Sequence, residues 1–92
     1  MPGPLRYRTE VNGLVVSTVM TFDMGWETAI LDVHSAYPVE RYASEELACE
    51  GHERWCSWAA DSRNTTVHRV GWFLGIGEKD FLLERIPGKA EV

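Results

Sequence analysis

Two residues, Asn12-Gly13, do most to limit what this chain can fold into. They separate LRYRTEV from LVVSTVMTF, both rich in β-branched and aromatic residues. A two-residue turn of this kind takes positive φ at both positions, which asparagine and glycine tolerate, and it joins neighbouring antiparallel strands. The second strand alternates. Leu14, Val16, Thr18, Met20 and Phe22 share one face, and Val15, Ser17, Val19 and Thr21 share the other. The first set is the expected core face. After a turn at Asp23-Met24-Gly25, WETAILDVH reads as a third strand, Trp26 to His34, and completes a meander. Its two faces are both mixed, so alternation leaves its inward side open. Ser35 to Pro38 reads as a loop, because proline pushes the residue before it toward extended geometry.

From Ser44 to Asp61 the period changes. Ser44 is a good N-cap, and Glu45 and Glu46 stand where the helix dipole favours acids. At about 100° per residue, Leu47, Ala48, Cys49, Gly51, His52, Trp55, Cys56, Trp58 and Ala59 fall on one arc. Glu50, Glu53, Arg54 and Ser57 fill the opposite side. This is one amphipathic helix lying on a sheet. Downstream, Thr65 to Leu74 reads as a strand with Gly71 as a bulge or close approach. Residues 80–86 fit either a strand or a short helix, and a hairpin with the preceding strand is the favoured reading. The expected fold is α+β: an antiparallel sheet of four to five strands, an N-terminal meander and a C-terminal hairpin, packed against one amphipathic helix. It forms a single domain over residues 1–92, with 1–4 and 88–92 loose.

The chain of 92 residues has 45% hydrophobic and 25% charged residues and a formal net charge of −5, without a basic stripe. Nucleic-acid binding therefore lacks its main driving term. No apolar run approaches the roughly 18 residues of a membrane span. MPGPLRYRTE has no apolar h-region, so the expected setting is a cytosol, with both cysteines reduced.

Cys49, His52 and Cys56 are ligand types for zinc and share a helical face. Yet positions i and i+7 lie about 10.5 Å apart along a helix axis. Two cysteines at that spacing cannot hold one tetrahedral ion, nor form a disulfide. The favoured reading makes the thiols small apolar filler. His52 is then a structural, half-buried residue bonded to a strand carbonyl or a carboxylate. No metal and no cofactor are expected. Gly51 costs roughly 1 kcal/mol in mid-helix. Its expected use is close approach of a strand aromatic such as Phe22, Trp26 or Trp72. The four tryptophans and three tyrosines exceed what so small a core needs. Trp26, Trp72 and Tyr37 are the candidate anchors for a protein partner.

Val16-Ser17-Thr18-Val19, then Trp26-Glu27-Thr28-Ala29-Ile30-Leu31, then Arg41 to Ala48 with Gly51-His52, form a recurring order of blocks. They resemble a family of small uncharacterised phage and prophage proteins, mostly of actinobacteria. Its pattern runs VSTV, a loop, FETMVF and RYsTxeEAxxGHe. The likeness covers residues 15–53. It implies a phage setting, no known catalytic residues, and a recurring unit of Glu27, Arg41, Tyr42 and His52. In that unit Ser44 caps the helix, Gly51 seats it and His52 ties it to the sheet through Glu27; outside it, Trp55, near the middle of the helix's apolar arc, is expected to be structural. The expected function is non-enzymatic binding of a host or virion protein, as a virion accessory subunit or as an inhibitor of a host defence or regulatory protein. A homo-oligomer is compatible with it, and the expected location is host cytoplasm or virion. The alternative is a small-molecule or metal-dependent activity centred on His52.

Overall fold

The computed structural model describes residues 6–23, 25–71 and 73–87, the side chain of Phe73 apart. Asn12 (φ 51°) and Gly13 (φ 82°) make the turn, so β1 (Arg6–Val11) and β2 (Leu14–Met20) pair antiparallel from Val11↔Leu14 outward. β3 (Trp26–Leu31) and β4 (Ala36–Tyr42) extend the meander, in the order β1-β2-β3-β4. The helix α1 (Glu45–Ala60) crosses this sheet. β5 (Thr66–Arg69) and β6 (Lys79–Leu82) form a separate antiparallel hairpin, with a short 3₁₀ turn at Phe73–Gly75 between them. The fold is α+β, a four-strand antiparallel sheet and a two-strand hairpin with one helix.

The expected loop at residues 35–38 is instead the start of β4, and β3 stops at Leu31, short of His34. Proline can stand in β4 because this is an edge strand and the ladder is irregular beside it, between Thr28 and Ala29. The irregularity has a second effect. Pro38 lies opposite Ala29 and Glu40 opposite Thr28, so Val39 is the extra residue. The pleat therefore slips by one, and Tyr37, Val39 and Tyr42 are all buried. Glu40, paired with inward-facing Thr28, reaches the helix side as well.

Leu14, Val16 and Ile30 are sealed beneath the helix and the hairpin, with Tyr37, Val39, Ala59, Val67 and Leu83. Burying each such aliphatic side chain contributes about 1.5–3 kcal/mol. A second cluster joins Trp26, Tyr42 and Ala48, with Tyr7 against it. The β2 core face ends sooner than its alternation suggests: the strand stops at Met20, and Met20 and Phe22 are both exposed. β5 likewise stops at Arg69, well before Leu74. A β-carbon on Gly71 would collide with the backbone of Gly75, which accounts for glycine there by close approach.

Candidate functional site

The most organised polar feature lies under the helix. On β2 and β3, Thr18 and Thr28 face each other in register and both are fully buried. Their hydroxyl oxygens are 2.5 Å apart. From the helix, His52 brings Nδ1 to 2.7 Å from Thr18 Oγ1 and Nε2 to 2.9 Å from Thr9 Oγ1. At the other end the Tyr42 hydroxyl lies 2.9 Å from Thr28 Oγ1 and 3.0 Å from Glu40 Oε1. Trp55 Nε1 donates to the same carboxylate oxygen at 2.8 Å, and Arg54 approaches it at 3.3 Å.

The carboxylate fixes the direction of the whole chain. An ionised Glu40 can only accept, and a phenol has one proton. Tyr42 therefore donates to Glu40 and accepts from Thr28, Thr28 accepts from Thr18, and Thr18 accepts from His52 Nδ1–H. That order places a proton on Nδ1, and burial, which lowers the His52 pKa, favours the neutral ring, whose Nε2 then accepts from Thr9. Among the described residues no buried side-chain polar atom is left without a partner. Burial holds the His52 pKa below its ordinary value and pushes Tyr42 up to about 12. Both shifts favour the neutral forms this relay requires.

His52 thus ties the helix to the sheet, but through threonines and not through Glu27. The pleat sends Glu27 and Arg41 to the opposite face of the sheet from Thr28 and Tyr42. There Arg41 Nε donates to Glu27 at 2.9 Å, and its Nη1 reaches the Gly71 carbonyl at 2.7 Å. Gly51 does seat the helix on an aromatic ring, and that ring is Tyr42, not Phe22 or Trp26. A β-carbon at Gly51 would fall inside the edge of that ring. Ser44 caps the helix as expected, its Oγ accepting from the Leu47 amide at 3.2 Å.

Trp26 and Tyr37 cannot serve as surface anchors, being 4% and 7% exposed. Trp26 packs on Tyr42 and Tyr7, and Tyr37 stacks on Phe81 at 4.7 Å. Trp72 lies outside the described residues. Cys49 and Cys56 are free thiols. Burial pushes the Cys56 thiol up, and hydrogen bonds to Cys49 and Glu45 hold the Tyr7 hydroxyl protonated far above its usual range. Among the described residues no three His, Cys, Asp or Glu side chains converge as a metal site would require.

The outward apolar residues are different ones. Met20 and Phe22 rise at the β2–β3 turn, with Phe22 fully exposed. Met20 pairs with Trp26 and Trp26 with Tyr42, so this is also the end of the sheet from which the helix starts. Leu47, exposed in the first helical turn, belongs to that end. Leu74 and Ile76, between β5 and β6, and Leu82, on β6, are exposed too. Sequence reasoning missed Phe22 because its alternation with Leu14 and Val16 mimics a core position. The one signal that could have separated it is its place next to the Asp23–Gly25 turn.

Fold and site together define a small α+β domain with a sealed polar relay below and isolated apolar residues standing outward. Protein-family models, curated proteins and solved structures were all compared with the chain, and none matches it. No helix among the described residues is long and apolar enough to cross a membrane.

Proposed function

We propose that this is a phage-encoded, non-enzymatic protein that acts by binding another protein, in the host cytoplasm or in the virion. The observation that carries the reading is the full exposure of Phe22 at the β2–β3 turn, with Met20 beside it. A fully exposed aromatic, with an exposed methionine two residues before it in the chain, is the kind of group that anchors an interface. The resemblance of residues 15–53 to small phage proteins supports the setting. Both ring nitrogens of His52 are engaged by threonines, which leaves that ring no lone pair for a metal or a substrate.

Affinity capture from a lysate of infected host cells tests the reading, with the intact chain as bait. Phe22→Ser should lose the captured protein while Arg63→Ala, at an exposed position remote in sequence, keeps it. Capture indifferent to Phe22→Ser contradicts the reading. Mass spectrometry of purified virions then separates the two roles. Stoichiometric presence assigns a virion accessory subunit, and absence assigns an inhibitor of a host defence or regulatory protein. Trp26→Ala is not a useful probe here, because Trp26 is buried and its loss would unsettle the fold.

A further inference from the structure

The turn that begins the sheet carries a latent chemical reaction. An asparagine side chain can be attacked by the backbone nitrogen of the next residue, and glycine there hinders the attack least. Asn12-Gly13 is such a pair, and Asn12 and Asn64 are the only side-chain amides in the chain. The fold admits no safer pair at this place. The turn holds residue 12 at φ 51° and residue 13 at φ 82°, which asparagine and glycine tolerate. A β-carbon on Gly13 would lie 2.8 Å from the Ile86 carbonyl oxygen and 2.9 Å from the Ile86 nitrogen. No bulkier residue can therefore shield the Asn12 amide.

Three bonds immobilise the pair instead. Asn12 Nδ2 donates to the Ala60 carbonyl at 3.3 Å, which ties the side chain to the helix end. Arg85 Nη1 donates to the Asn12 carbonyl at 3.0 Å, so it holds the very peptide group whose nitrogen would attack. The Ile86 amide donates to the Gly13 carbonyl at 3.0 Å, and Gly13 is buried. We infer that Asn12 is a self-modifying site guarded by Arg85, converted to aspartate or isoaspartate when that junction opens. The Gly13 nitrogen bonds to Asn12 Cγ, and the side-chain nitrogen leaves as ammonia with the Gly13 proton. Water then opens the resulting succinimide, its hydroxyl going to one carbonyl carbon and its proton to the ring nitrogen. Cleavage on the side-chain side gives aspartate, and cleavage on the main-chain side gives isoaspartate. Either product releases the junction. An aspartate carboxylate cannot donate to the Ala60 carbonyl, and it sets a negative charge at the helix C-terminus, where the dipole disfavours it. Isoaspartate lengthens the main chain by a methylene, which a two-residue turn in the Val11↔Leu14 register cannot absorb. The conversion is one-way, so the turn records how often the junction has opened. The inference holds whatever Phe22 binds.

Peptide-mapping mass spectrometry on the full chain, incubated for days at mildly alkaline pH, tests it. Conversion reads as the mass gain from amide to acid, and isoaspartate as a second retention time at the same mass. Asn64 is the internal control. Arg85 bonds its carbonyl too, at 2.8 Å, but the β-branched Thr65 follows it and hinders attack. Asn12 should convert slowly in the parent, about tenfold faster in folded Arg85→Ala, and fastest in denaturant, with Asn64 unchanged in the folded chains. Asn12→Asp should lower the melting temperature by about 4–8 °C. Should Arg85→Ala fail to fold, Arg85→Lys, which keeps the charge and loses the fork, takes its place with a smaller acceleration. Equal rates in the parent and the folded Arg85 variant overturn the guard. Asn12 that stays intact in denaturant overturns the site, and an unchanged melting temperature in Asn12→Asp overturns the release.

Discussion

His52 donates from Nδ1 and accepts at Nε2, so a second proton must go where Thr9 now donates. Burial already holds its pKa below 6.5 in the fold. The unfolded chain therefore takes up a proton first as pH falls. The contribution of neutral His52 is complete above about 6.5 and is lost as pH drops from there to the lowered folded value. His34 and His68 shift the other way, raised chiefly by hydrogen bonds to Glu84 and to Glu78 and Asp80. Their contribution is complete below about 6.5 and fades above it, but both are exposed and well screened. Urea midpoints should thus fall between about pH 7 and pH 5, and His52→Leu should flatten that part of the profile. At pH 7 the same substitution strips Thr18 of its donor and should cost about 1–3 kcal/mol. An unchanged slope in the variant would remove His52 as its source. Gly51→Ala gives a second expectation at this scale. Alanine is the better helix former by about 1 kcal/mol. The intruding β-carbon meets the Tyr42 ring, however, and overpacking costs about 1–3 kcal/mol. The melting temperature should fall, and a rise would show that the ring can withdraw.

The elements differ in how plainly they were written. Asn12-Gly13 and Ser44 act within a few residues, so the hairpin and the helix start were legible from local chemistry alone. β4 was not, because Pro38 reads as a loop until an edge position and a bulge are supplied by neighbours far off in sequence. The relay was hidden for a similar reason: Thr18 and Thr28 meet only through strand register, and Glu40 turns inward only because Val39 is extra. The helix C-terminus shows the limit most clearly. No basic residue stands in its last turn. Arg85 supplies the missing cation from beyond the hairpin, donating to the carbonyls of Ala59 at 2.7 Å, Asn64 at 2.8 Å, Asn12 at 3.0 Å and Asp61 at 3.2 Å. It locks helix end, first turn and C-terminal segment together. Arg85→Ala should therefore cost on the order of 1.5–3 kcal/mol by denaturant melts, near the value of a charged hydrogen bond. Arg85→Lys should recover only part of it, since a point donor cannot span the guanidinium's four partners. Ser44→Ala should cost about 1 kcal/mol. Equal stability of the Arg85 variants and the parent would mean that water replaces those bonds without loss.

At the scale of the whole molecule, a domain of this size holds about 5–15 kcal/mol of stability. Any one core change consumes a sizeable part: Ile30→Ala should cost about 2–5 kcal/mol. The molecule uses His52, the three threonines Thr9, Thr18 and Thr28, Tyr42 and the Glu40 carboxylate to fix helix to sheet, and leaves Phe22 facing outward. On this account stability and binding reside in separate residues. The most direct test places His52→Leu and Phe22→Ser side by side, each assayed for melting temperature and for partner capture at a temperature where both are folded. The account predicts a lower melting temperature with capture intact for His52→Leu, and an unchanged melting temperature with capture lost for Phe22→Ser. Capture that survives Phe22→Ser and disappears with His52→Leu, while the fold persists, would contradict it.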